Sequence, residues 1–498
     1  MSRTALAACI TTAALAAGAA VAAVPAQATP AAPRPAAASY TGPELTLIPA
    51  QNSVSIQGFL VKPKSKQAMV FVDPGIWLAS LGSSLRFNVG RTSYARPVSI
   101  TQVISRPGGA PLARRLPASL LDGWNGLKDM MTLTVRDHAG KVVAAEKLTV
   151  CPNAYDPERA TPDSPDASPY PQSCAAFDPF PLGEVWGIER GWAIDPTEGY
   201  GRTLTLTMGS TYRVTETITP RYVRLLHIAA RNATASVEAT VVPVTGFPPP
   251  AKPRAGALAA LPAVPYLKNP PTSVLPDLVP LPAWGMSVNR SGRRDYLNFS
   301  ATVWTGGYGP LDVEAFRSGG SPVMAAYQYF YRNGKVIGRV RAGTMGFDSA
   351  KGHTHWHFQQ FAEYRLLSAG KKVVVRSQKV GFCIAPSDAV DLLLARAVWA
   401  PQFIGFPGQC GSPTALWVRE MLPVGWGDTY QQFLAGQAFD ITNVPDGTYY
   451  VEVIANPDHV LRETRYGNDV SLRKVIISGP KGHRHVTVPP FYGMDREG

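Results

Sequence analysis

The sequence predicts an all-β, multi-domain protein. Three observations carry that prediction. The 498 residues include 46 prolines and 45 glycines, a density of chain punctuation that long helices do not tolerate. Between those residues lie short runs rich in Val, Ile, Thr, Tyr and Phe, many alternating apolar with polar as a half-buried strand does. The chain is also too long for one ordinary domain. Helices should be few and short, with one expected over 388–398.

Residues 1–28 have the form of a secretory leader. Arg3 supplies the positive start, Ala5 to Ala23 form an apolar run, and Ala26-Gln27-Ala28 is an A-x-A cleavage signal. Residues 29–41 are a Pro/Ala-rich linker. Residues 42–150 form an N-terminal β domain of sandwich type, with strands expected at 45–48, 68–72, 84–89, 98–103, 131–135 and 142–150. Residues 151–246 begin with a polar loop bracketed by Cys151 and Cys174 and resume strands at 203–208, 212–218 and 235–242. They form either a second small β unit or the remainder of the first. The Pro-rich stretch 247–273 is the clearest boundary. From 274 to 498 the chain is again strand-rich, at 296–304, 325–332, 372–380, 439–441 and 448–454, and Asp446-Gly447 signals a hairpin.

The formal net charge is +13. It is scattered, in pairs such as Arg114-Arg115 and Lys371-Lys372, and lacks the concentrated basic tract of a nucleic-acid binder. It suits acidic surfaces such as a cell envelope. No stretch after the leader is long and apolar enough to span a membrane. Export makes the cysteines informative. Five are present and Cys9 lies in the leader, which leaves an even set expected to pair in sequence order as Cys151–Cys174 and Cys383–Cys410.

The strongest chemical signal is Gly352-His353-Thr354-His355-Trp356-His357. Three of the eight histidines fall within five residues, spaced H-x-H-x-H. On a strand, positions i, i+2 and i+4 share one face, whereas on a helix the middle imidazole would point away. From Trp356 to Leu366 the apolar and polar residues alternate, with Gln360 and Phe361 the exceptions. Three imidazoles on one strand face suit copper, zinc, nickel or iron, and copper(II) binds nitrogen donors tightest of the divalent series.

Further signals follow in order: Lys379 ahead of Val380-Gly381-Phe382-Cys383, then Gly425-Trp426-Gly427-Asp428-Thr429-Tyr430, then Phe439-Asp440-Ile441-Thr442-Asn443-Val444-Pro445-Asp446-Gly447. With Leu275-Pro276-Asp277-Leu278-Val279-Pro280 before them and Glu463 to Asn468-Asp469 after, residues 275–478 resemble the catalytic domain of the lysyl oxidase family. The resemblance implies a β-sandwich amine oxidase with copper on His353, His355 and His357 and a lysine tyrosylquinone made from Lys379 and Tyr430. Its substrates would be dioxygen and a primary amine, free or on a protein lysine. The resemblance implies a base as well. Where the family carries a further histidine, this chain has Glu363, and Asp428 is the other candidate. Asp277, the Leu278 carbonyl, Glu463, Asn468 and Asp469 match calcium-binding positions of some relatives, although Arg465 stands where a relative has an acid. A hydrogen-bonded loop clamp is the other reading there. A non-enzymatic, metal-binding envelope or adhesion protein is the competing function. A zinc hydrolase ranks below both, for want of a paired glutamate beside the histidines.

Overall fold

A computed structural model describes residues 43–492 apart from 63, 107–108, 155–156, 166, 175–176, 198–202, 244–263, 318–321, 349–354, 378, 380, 401–409 and 412–414. The leader, the 29–41 linker and His353 lie outside the described residues. The fold is all-β. Among the described residues one α-helix, Pro220–Leu225, and three single-turn 3-10 helices accompany 31 strands.

The N-terminal part is built on a seven-stranded sheet in the order Thr203–Thr207, Gln67–Phe71, Ser53–Leu60, Thr234–Pro243, Thr211–Ile218, Leu127–Arg136 and Val142–Val150. Two four-stranded sheets complete it. Strands from 42–150 and from 151–246 interleave. Thr234–Pro243 lies parallel to Ser53–Leu60, and Thr203–Thr207 pairs with Gln67–Phe71. A single apolar core runs from Leu45 to Val241 through Phe87, Trp186 and Tyr222. The alternation in Thr211–Ile218 is a direct print of this burial: Tyr212, Val214, Glu216 and Ile218 face inward.

In the C-terminal part, the long strand Arg294–Gly307 pairs with Pro276–Pro280 and with Trp426–Tyr430. A five-stranded sheet runs His355–Phe358, Lys335–Asp348, Val323–Arg332, Leu311–Phe316 and Trp417–Leu422. Another runs Val373–Arg376, Ala362–Ser368, Gly447–Ala455, Val470–Ser478 and His485–Thr487. Phe299, Trp356, Phe358, Tyr364, Phe382 and Phe439 fill the space between them.

Two sequence expectations are corrected. The helix over 388–398 does not form. Asp388–Ala389 is a short strand on Trp426–Tyr430, and Leu392 N–H donates to Gly183 O at 2.7 Å, so tertiary pairing overrides local preference. The single strand read from the histidines to Leu366 is two strands in different sheets, broken by a turn at Gln359-Gln360. The lapse in alternation at Gln360 and Phe361 marks that break.

The two parts meet beside the strand that carries Asp428 and Tyr430. Leu182 N–H donates to Val390 O at 2.6 Å and Phe177 N–H to Asp388 Oδ1 at 2.6 Å. Both expected disulfides are present, Cys151–Cys174 and Cys383–Cys410.

Candidate active site

His355 and His357 project from one face of their strand, and their Nε2 atoms approach to 2.9 Å. Strand alternation causes this convergence. Two imine nitrogens that close must share a proton or face a common cation, so the pair fits a nitrogen-binding metal. His357 is buried, and its opposite nitrogen, Nδ1, lies 3.7 Å from Asp348 Oδ2 on the neighbouring strand. A carboxylate on that side favours the tautomer whose Nε2 lone pair is available to a metal. Among the described residues no three His, Cys, Asp or Glu side chains are grouped as a metal shell.

The histidine strand is stitched to the segment that carries Lys379. Phe358 and Phe382 exchange backbone hydrogen bonds of 2.8 and 2.9 Å, and Trp356 N–H donates to Cys410 O at 2.8 Å. The Cys383–Cys410 bridge therefore holds both flanks of the histidine strand. Gly381 is required by close approach. A Cβ there would lie 2.7 Å from His357 Cβ.

Lys379 is buried, and its Nζ sits 4.1 Å from the centroid of the Tyr430 ring. Burial lowers its pKa to about 8, against the opposing pull of Asp428 and then Asp348. Tyr430 is buried as well. Its hydroxyl accepts from Cys383 N–H at 2.6 Å and donates to Cys383 O at 3.3 Å, and Phe382 stands edge-on to the ring at 5.1 Å. Burial, followed by the Asp428 charge, pushes the phenol well above its ordinary range. Asp428 is itself raised by burial, and its Oδ2 has no hydrogen-bond partner. A dry amine, a phenol and a carboxyl thus share one pocket, with the imidazoles beyond Gly381.

The C-terminal region matches known proteins. The family model described as lysyl oxidase matches residues 409–484. Lysyl oxidase homolog 2B of Danio rerio is 27% identical over 119 residues, 24% of this chain and 14% of that protein. Lysyl oxidase homolog 4 of Homo sapiens is 27% identical over 141 residues, 28% and 17% respectively. Lysyl oxidase homolog 2 of Gallus gallus is 26% identical over 141 residues. Residues 409–484 thus carry the lysyl oxidase signature, and the chain is similar to lysyl oxidase homologs. The chain spans only 14–17% of the length of these relatives.

Within the lysyl oxidase region the structure separates the two base candidates. Asp428 lines the pocket. The Glu363 carboxylate is instead bound by Arg365, at 2.9 and 2.5 Å, and by Arg376. The Arg365 hydrogen bonds hold its pKa below the usual carboxylate range. Sequence reasoning missed Asp348. Its only signal was a carboxylate ahead of a histidine cluster, and its partner His357 is found only through strand pairing. It also missed Glu420, which is buried and accepts from Ile384 N–H at 3.0 Å beside the Tyr430 segment.

The third cluster does not assemble as a cation shell. Asp277 Oδ2 is taken by Arg465 at 2.6 Å and by Asn468 Nδ2 at 3.2 Å, and its Oδ1 by Thr464 at 2.8 Å. Glu463 accepts from Leu278 N–H at 2.9 Å and from Asn456 at 2.5 Å, and burial raises it to about 7. The Asp469 oxygens and Asn468 Oδ1 are buried without hydrogen-bond partners, the one feature that suits a hard cation. The Arg465 guanidinium already neutralises Asp277.

Proposed function

We propose that the chain is a secreted amine oxidase whose quinone is made from Lys379 and Tyr430 beside copper held by His353, His355 and His357. The observation that carries this reading is the 4.1 Å approach of Lys379 Nζ to the Tyr430 ring inside a dry pocket. An amine attacks an electrophilic ring only when neutral, and burial supplies that form near pH 8. When formed, the quinone with copper and dioxygen converts RCH2NH2, O2 and water to RCHO, ammonia and hydrogen peroxide.

The chain's own residues divide the remaining work. Asp348 orients the His357 imidazole. Asp428, made more basic by burial, accepts a proton at Oδ2 in its ionised form and returns it from the neutral acid; that oxygen has no hydrogen-bond partner among the described residues. Phe382 and the Cys383–Cys410 bridge hold the Tyr430 ring and exclude water. The leader-like residues 1–28 and two disulfides support export to an oxidising compartment. Among the described residues no helix is long and apolar enough to cross a membrane. The substrate is a primary amine, free or on a protein lysine, at or near a cell envelope. Around Asp277, Leu278, Glu463, Asn468 and Asp469 the reading is an Arg465-centred clamp rather than a calcium site, so the calcium chelator EGTA should leave the melting temperature unchanged. A fall of several degrees would restore calcium.

The deciding experiment is peptide mapping of chain expressed with copper. A visible quinone absorption and a cross-link joining the Lys379 and Tyr430 peptides are expected, and both should vanish in Tyr430→Phe. Colourless wild-type protein with separate peptides would leave a non-enzymatic metal-binding protein.

A further inference from the structure

A cleft of about 580 Å³ opens at one end of the five-stranded sheet that carries His355 and His357 at its edge. Its walls include Arg332, Arg396, Arg419, Tyr308, Tyr331 and the Asn333-Gly334 turn. Strand register places it far from the candidate active site. His357 pairs with Gly346, which pairs with Val323, and Tyr331 lies eight residues further along that strand. At ~3.3 Å per residue the separation is about 26 Å.

The charges in the cleft are one-sided. Asp312, fully buried, is consumed by Arg419 through contacts of 2.6 and 3.1 Å and by the Tyr331 hydroxyl, and Glu314 lies 3.9 Å from Arg419 on the same side. Arg419 is therefore neutralised from beneath. Arg396 and Arg332 are not. Arg396 is exposed, sits over the Tyr308 ring at 5.0 Å, and among the described residues donates through Nη1 to Ser273 O and Tyr308 O at 3.1 Å each. Its Nε and Nη2 have no hydrogen-bond partner among the described residues. Arg332 is exposed with no partner among the described residues. The cleft is far larger than a lone ion and falls within the size range of ligand pockets.

We propose that this cleft binds phosphate-type oxyanions, presented as the repeating phosphodiester of an anionic polymer. Two exposed guanidinium groups lining one cleft, Arg332 and Arg396, suit a ligand that carries more than one phosphate charge. Tyr308, half exposed, holds Arg396 over its ring and adds apolar edge to the cleft wall. The cleft would then be an attachment site that tethers the chain to an acidic surface, separate from the amine chemistry.

The test is calorimetric titration of the full chain at physiological salt with a glycerol phosphate oligomer, inorganic phosphate and poly-L-glutamate. The oligomer should bind. Arg332→Gln/Arg396→Gln should weaken it about tenfold or more, while Arg231→Gln/Lys141→Gln, a charge-matched change on the N-terminal part, should leave it unchanged. Arg332→Glu, at an exposed side chain with no hydrogen bond or ion pair among the described residues, guards against misfolding and should weaken binding further still. Inorganic phosphate binding as tightly as the oligomer would support the oxyanion site and name the free ion as its occupant. No binding of either phosphate, equal losses in the cleft and control variants, or tighter binding of poly-L-glutamate would overturn the proposal. Amine oxidation should be unaffected by the cleft variants, so the outcome is independent of whether the quinone forms.

Discussion

The N-terminal and C-terminal parts share a fold class but bury different chemistry. The core from Leu45 to Val241 is mostly aliphatic and aromatic, the buried Glu216 aside, and its alternation shows which side chains face in. The lysyl-oxidase-like region buries Lys379, the Tyr430 phenol and two carboxyls, Asp428 and Glu420, each with one oxygen lacking a hydrogen-bond partner. Burying an ionisable group without a partner costs folding free energy, so a cluster of such groups in one pocket needs a return other than stability. The difference teaches where selection for chemistry acts. The N-terminal part reads as scaffold, the C-terminal part as a pocket kept despite its cost.

The largest expected effect tests that contrast directly. Lys379→Met should abolish amine oxidation, a loss of at least ~10³-fold for a covalent catalytic group. It should also raise stability by about 1–3 kcal/mol, because an amine held in a dry pocket is replaced by an apolar chain of similar length. Peroxide release and thermal melting are the readouts. A destabilised variant would mark Lys379 as structural and erase the contrast.

Next in size is the scaffold itself. Removing Cys151–Cys174 as a Ser pair opens a loop of sequence separation 23 and should cost ~3 kcal/mol in the chain-entropy picture. Copper content and the Lys379–Tyr430 cross-link should persist. Loss of the cross-link in a variant that remains folded would mean that the N-terminal part shapes the pocket. That outcome is physically conceivable, since Phe177 and Leu182 bond the strand next to Asp428.

A smaller effect is expected at Asp348. Asp348→Asn keeps the size of the side chain but removes the charge facing His357 Nδ1. Copper affinity, read by chelator competition on the metal-loaded chain, should fall about 10–100-fold. The melting temperature of the metal-free chain should barely change, because Asp348 is half exposed. Unchanged copper affinity would reduce Asp348 to a bystander.

Much of the fold was legible because strand burial imprints a period of two on the sequence. The strands 142–150 and 212–218 were read within a residue of their bounds. What failed was whatever depends on distant pairing. Asp388–Ala389 looked helical alone and is a strand because Gly427 and Trp426 lie beside it. The histidine strand looked continuous because both of its halves alternate, and only Gln360 and Phe361 betrayed the turn. At the site, the types and spacing of His355, His357, Lys379 and Tyr430 were visible in the chain. Asp348 and Glu420 were not, since neither belongs to a motif and both act through neighbours that only folding supplies. Glu363 shows the same limit: its pairing with Arg365, two residues away and on the same strand face, and with Arg376, on the neighbouring strand, is supplied by the fold.

The smallest expected effect concerns the seam between the two parts. Asp178, Glu184 and Asp388 are buried there, and each keeps one oxygen without a hydrogen-bond partner. Burial raises all three pKa values, Asp388 from 3.8 to about 6, and for Glu184 the charges of Asp178, Asp388 and Asp391 add to it. A carboxyl whose folded pKa exceeds its unfolded one binds more protons in the folded state. Stability therefore falls as pH rises from the unfolded value through the folded one, for Asp388 between about pH 4 and 6. Glu184→Gln removes one charge from this set while preserving its shape. It should raise the melting temperature at pH 8, by no more than the ~1–3 kcal/mol that an unpaired buried polar group costs, and leave it unchanged at pH 4. Thermal melts at the two pH values check this. A variant equally destabilised at both would show that the Glu184 carboxyl is satisfied in the fold, and that the seam, like the N-terminal core, is plain scaffold.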